Sequence, residues 1–195
     1  MQTLAPLTEL EAINIMLSTI GESPINSLSA SQSTVDVGIA QSVLREVSIQ
    51  VQEEGWQFNT EINWVLPLVA GTGELQIPLN CIQIDTVGPD VNVDVSMRGQ
   101  RLYDRINHTF VFTKSLTVDM VLLLEFTEMP QAARHYISVR AARVFQQRVI
   151  GSDTLGAFTK LDEALARASL KKLDSNNADY NILSGSWSVA RILTR

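Results

Sequence analysis

The sequence predicts an α+β protein: a discontinuous four-helix bundle interrupted by an inserted antiparallel β-sheet or sandwich region. Three observations predict it. Apolar residues recur at helical spacing near both ends of the chain, the period shifts toward alternation after Trp56, and the helical period returns at Pro130. The predicted division is 1–55 with 129–180 as the helical bundle, 56–128 as the inserted β domain, and 181–195 as a C-terminal docking tail.

Thr8-Glu9-Leu10-Glu11 is a capping box, which satisfies the orphan N–H groups of a helix start. Leu10, Ile13, Leu17 and Ile20 follow as one stripe, Gly21 occupies the stop position, and Pro24 blocks resumption. In the second helix Ala40, Leu44, Val47 and Val51 form the stripe, and Gly55 ends it. Alternation at Val91, Val93, Val95 and Met97, and again at Leu116, Val118 and Met120, predicts half-buried strands within a set of six to eight. Turns are expected at 71–73, 88–90, 98–100 and 107–108.

Pro130 suits the first turn of the third helix. Ala133, Ile137, Ala141 and Val144 are its stripe, with Phe145 beside it, and Gly151 ends it. Ser152-Asp153 caps the fourth helix, whose expected inward stripe is Phe158, Leu161, Leu165 and Ala168, with Glu163 and Arg167 as an i,i+4 pair. Each helix is apolar on one side only and needs a partner.

The composition is that of a globular chain, 45% hydrophobic and 18% charged. A single cysteine, Cys81, excludes an intrachain disulfide framework and a cysteine-rich zinc site, and reads as a small buried hydrophobe. No apolar run approaches membrane-spanning length and no export signal is visible at the N-terminus, so synthesis in a reducing cytoplasm is expected. The net charge of −6 disfavours a protein held to nucleic acid by bulk charge, yet it hides an asymmetry. Residues 1–97 carry Arg45 against twelve acidic residues, whereas 98–195 carry fourteen basic against nine acidic. Either the two halves neutralise each other within one chain, or neighbouring copies pair acidic face to basic face.

No catalytic pattern emerges. His108 and His135 lack metal-motif spacing, Gly71-Thr72-Gly73 is too short for a dinucleotide fingerprint, and Asp85, Asp94 and Asp119 read as the solvated side of a sheet. A non-enzymatic role is expected, with no cofactor and no bound metal. A small enzyme built on unrecognised carboxylates is the weaker alternative. The third helix carries Arg134, Arg140, Arg143 and Arg148 with no acidic residue over 131–150, so a DNA-binding or packaging module is the other alternative. Their angular scatter does not form a single phosphate-tracking row. Ion pairing with the acidic half or with a neighbouring copy, through residues such as Glu53 and Glu54, is favoured. The tail carries Ile182, Leu183, Trp187, Val189, Ile192 and Leu193 beside Arg191 and Arg195. It either folds back on its own bundle or docks onto a partner, with Trp187, Arg191, Ile192, Leu193 and Arg195 as anchors.

Several segments resemble one family. ELEAINIMLSTIGESPI at 9–25, EEGWQFNTE at 53–61, Tyr103-Asp104-Arg105, EMPQAARHYISVRAARVFQQRVIG at 128–151 and the closing Leu193-Thr194-Arg195 are similar to the tail tubular protein A family of short-tailed bacteriophages, also called adaptor or gatekeeper proteins. The resemblance spans nearly the whole chain and is weakest at about 62–100. It implies a virion tail protein forming a twelve-fold ring of copies between the portal protein and a nozzle of tail tubular protein B type. It further implies tail fibres nearby, genomic DNA passing through the lumen without sequence-specific binding, and no membrane partner. A bundle with unlike-signed halves suits head-to-tail ring contacts, and a net acidic body suits a conduit along which DNA must slide.

Overall fold

The computed structural model describes residues 5–29, 34–151 and 153–177. It is an α+β protein, with four helices and small antiparallel sheets among the described residues. Contacts divide it into two compact units, residues 1–47 with 129–195, and residues 48–128. This division falls inside the second helix.

In the helical unit, α1 spans Glu9–Ser18 and opens with the Thr8–Glu11 capping box. Its end is closed by two bonds, Gly21 N to Ser18 O at 3.2 Å and Glu22 N to Leu17 O at 3.1 Å. That pair of bonds needs a left-handed residue, supplied by Gly21 at φ 83°. Helix α2 spans Val35–Gln52, and its expected stripe of Ala40, Leu44, Val47 and Val51 is buried throughout. Helix α3, Gln131–Val149, packs against α1 and against α4, Asp153–Asn177. Its buried line is Ala133, Ile137, Ala141 and Phe145, at strict i,i+4 spacing. Val144 is only half-buried, so Phe145 takes the place expected for it. The proposed cap at Ser152 lies outside the described residues.

The β unit holds five strands in place of the expected six to eight. They are β1 Thr60–Leu66, β2 Cys81–Thr86, β3 Val95–Arg98, β4 Arg101–Asp104 and β5 Leu116–Leu122. β5 is central in a three-stranded sheet ordered β1-β5-β2, while β3 and β4 form a hairpin. All pairs are antiparallel. Elsewhere the expected strands shrink to isolated bridges such as Leu68–Leu75 and Glu74–Val111. The alternation at 91–97 overstated its strand. Gly88–Asp90 forms a 3-10 turn, Val93 N bonds Asp90 O at 2.9 Å, and pairing begins only at Val95. A core of Leu66, Leu75, Leu102, Leu116, Val118 and Met120 joins residues from both sheets. Cys81 is buried, its Sγ reaching Gln83 O at 3.2 Å, and burial pushes its thiol pKa up.

Candidate assembly surfaces

The arginines of α3 are engaged within their own chain. Arg134 is buried at the helix start, where Nε donates to Met129 O at 2.7 Å and Nη1 to Leu7 O at 3.1 Å. Gln131 Oε1 accepts from Leu7 N at 2.7 Å beside it, so the first turn of α3 clamps the segment entering α1. Arg143 meets the Glu163 carboxylate of α4 directly, and Arg140 Nε lies 3.9 Å from the same carboxylate. Arg148 holds Glu46 of α2 through two bonds of 2.8 and 2.9 Å, which raise the guanidinium above its ordinary pKa. Arg148–Glu46 is an ion pair that joins the basic and acidic halves, and Arg134 reaches the first half through Leu7 O, whereas Arg143 and Arg140 meet Glu163 within the second half. A row of guanidiniums free to follow a phosphate backbone is not what this geometry presents.

The face of α4 differs from the expected one. Ala166 and Leu170 are buried, whereas Leu161 and Leu165 are 65% and 60% exposed and Ala168 is exposed. The side chain of Phe158 lies outside the described residues. The physical reason is on the partner helix. α3 offers Ala141, Ala142 and the Arg143 guanidinium, so α4 turns Glu163, Ala166 and Leu170 toward it, a face at 3-4 spacing that permits close approach and an ion pair. The rotation leaves a groove of about 440 Å³ between α1, α3 and α4, walled by Ile15, His135, Val139, Ala142, Asp162 and Leu165. Nothing in the stripe pattern of α4 signalled this, because burial there follows the neighbour and not the largest apolar side chains.

The β unit presents a second apolar surface. β1 is an edge strand on which Ile62, Trp64 and Val65 are 67%, 48% and 58% exposed. A register irregularity between Glu61 and Trp64 centres on Asn63 at φ 54°, whose N–H donates to Asp119 Oδ1 at 2.8 Å. On the hairpin, Arg98 lies 3.6 Å from the Tyr103 ring centroid and Arg101 4.2 Å from that of Phe110. The two rings meet edge-on at 4.9 Å. These stacked pairs had no signature in the sequence.

The family-like motifs do structural work. At 53–61, Gly55 turns at φ 69°, Trp56 Nε1 bonds Val51 O at 2.7 Å, and Asn59 Nδ2 bonds Gln52 O and Leu122 O at 3.0 and 2.9 Å. Glu53 and Glu54 are exposed just beyond α2. In Tyr103-Asp104-Arg105, Asp104 accepts from the Ile106 and Asn107 N–H groups at 2.9 and 2.8 Å, and Arg105 pairs with Asp94 at 3.1 Å. Both histidines are exposed, His108 at a turn with φ 54° and His135 near the start of α3. Asp85 and Asp119 face each other across β2 and β5. Among the described residues no His, Cys, Asp and Glu cluster could hold a metal ion, and no helix is long and apolar enough to cross a membrane. The tail residues Trp187, Arg191, Ile192, Leu193 and Arg195 lie outside the described residues.

The described residues of this α+β chain leave large apolar side chains exposed on a helix face and on a sheet edge, the kind of surface that can meet other macromolecules. Its sequence matches the family model Tube: Tail tubular protein over residues 10–180, and the chain belongs to that family. It is 27% identical over 132 residues to a protein named tail tubular protein A of Klebsiella phage KP34, a match covering 68% of each chain. Membership makes it a structural component of a bacteriophage tail.

Proposed function

We propose that the chain is a head-to-tail connector. Copies of it, twelve in number, close a ring between the portal protein and the tail nozzle, with tail fibres nearby and DNA passing through the lumen. The observation that carries this reading is the family match, which runs through both units and not one of them. The net charge of −6 suits a passage that must not retain DNA. The exposed residues of β1 and α4 supply apolar area for contacts between neighbours. The partition into a bundle, an inserted β module at 56–128 and a docking tail at 181–195 belongs to the same proposal. Trp187, Arg191, Ile192, Leu193 and Arg195 engage the portal in the assembled particle.

For contacts between copies, Glu53 and Glu54 are exposed carboxylates. Of the arginines facing them in the proposal, Arg148 is 48% exposed and can exchange Glu46 for a neighbour's carboxylate. Arg134 and Arg143 act within the chain that carries them. The test is native mass measurement of the protein alone and after mixing with purified portal. A complex with one copy per portal subunit is expected. No complex, or a steeply salt-dependent affinity of the isolated protein for DNA, would replace the connector with another role.

A further inference from the structure

We infer that the groove between α1, α3 and α4 is the resting place of the chain's own C-terminal segment around Trp187, so that the tail is stored on the subunit that carries it until a partner draws it away. The groove is apolar over most of its wall, through Ile15, Val139, Ala142 and Leu165, and Leu161 extends the apolar surface along α4. At about 440 Å³ it accommodates an indole together with an aliphatic neighbour. Asp162 stands on its wall, and no lysine or arginine is among the described residues lining it. The segment 182–195 has the complementary chemistry: Ile182, Leu183, Trp187, Val189, Ile192 and Leu193, with Arg191 and Arg195 as its charged residues.

The distances permit the return. Twelve residues of α4 separate Leu165 from Asn177, about 18 Å of helix at about 1.5 Å per residue. Trp187 follows Asn177 by ten residues, a reach of about 33 Å when extended at about 3.3 Å per residue. The segment therefore spans back to Leu165 with slack. A tethered segment also competes at the millimolar effective concentration of a short linker, which a second copy at ordinary concentration does not match.

The experiment uses the full chain with Cys81→Ala, Ser188→Cys beside the indole, and one cysteine on α4. Ser169→Cys lies on the groove wall. Lys171→Cys is exposed, about 200° further round the helix and nearer the tail along the chain. With a short bismaleimide, crosslinking inside one chain is expected at least tenfold faster for 169–188 than for 171–188. Trp187→Ala, or Leu165→Glu at its exposed position, removes that advantage. A tail that moves freely would give equal rates, or a faster 171–188 reaction through its shorter loop, and either overturns the inference. Products crosslinked between two chains alone overturn it too, by assigning the groove to a second copy. Since the rates are read on the isolated protein, they stand or fall separately from portal binding.

Discussion

Gln52 and Leu124 are joined like facing residues of a sheet: the Gln52 side-chain Nε2 donates to Leu124 O at 3.1 Å, and Leu124 N donates to Gln52 Oε1 at 2.7 Å. Gln52 is 1% exposed, so its amide serves as the substitute for a missing strand just beyond β5. Gln52→Leu keeps the volume and strands both Leu124 groups. A loss of about 2–3 kcal/mol is expected, since unmade hydrogen bonds of buried groups cost about 1–3 kcal/mol. Urea unfolding followed by tryptophan emission measures it, Trp56 being buried in the same unit. A change below about 0.5 kcal/mol would mean that water replaces the amide.

Arg143 and Glu163 are partly buried partners, with side chains 21% and 18% exposed, whereas Arg148 and Glu46 are 48% and 45% exposed. Removing one member of the more buried pair leaves the other poorly solvated. Arg143→Ala is expected to destabilise the helical unit by about 1–3 kcal/mol and Arg148→Ala by less than about 1 kcal/mol. Thermal unfolding by circular dichroism at 222 nm compares them. Equal effects would show that exposure does not rank these pairs.

Asp90 and Asp104 organise the loops of the β unit. Asp90 is held below the ordinary carboxylate pKa by its bond from Lys114 and by Thr117 N at 2.8 Å. Asp104 is lowered by the Asn107 N–H and side-chain amide and by Ile106 N. A carboxylate whose folded pKa is lowered stabilises the fold above its unfolded pKa of about 4, and that stabilisation is lost as pH falls through the folded value. The urea midpoint of the β unit should therefore drop as the pH falls below about 4. Asp90→Asn and Asp104→Asn should lower the midpoint at pH 7 and flatten its acid slope. An unchanged slope in both variants would remove these residues from the acid response.

Gly73 and Gly71 separate two costs of a side chain. Both have positive φ, 69° and 89°, but a Cβ at Gly73 would lie 3.1 Å from Val111 Cγ1 and 3.3 Å from Phe112 O. Nothing lies within 4 Å of one at Gly71. Gly71→Ala is expected to cost about 1 kcal/mol through backbone conformation alone, and Gly73→Ala about 1–3 kcal/mol because Phe112 O is backbone and cannot swing aside. Denaturant midpoints of the two variants decide it, and equal values would show that the Val111–Phe112 segment yields.

Local chemistry was readable where a residue's partner lies within a turn or two of helix. Thr8 with Glu11, the stop at Gly21, the stripe from Ala40 to Val51 and the line Ala133–Ile137–Ala141 all follow from spacing and backbone geometry, and all stand in the structure. The change of period at Trp56 and its return at Pro130 likewise marked where strands begin and helices resume. Tertiary structure decided what depends on a distant neighbour. Within the chain the same four arginines admitted many partners, and only the folded positions of Leu7, Glu46 and Glu163 show which of them Arg134, Arg148 and Arg143 meet. Leu161 and Leu165 satisfied the helical period as well as Ala166 and Leu170 do, yet Ala166, Leu170 and the Glu163 carboxylate turned inward, leaving Leu161 and Leu165 outside. Periodicity specifies that a helix has an apolar side; which side is buried is set by the shape and charge of the surface it packs against.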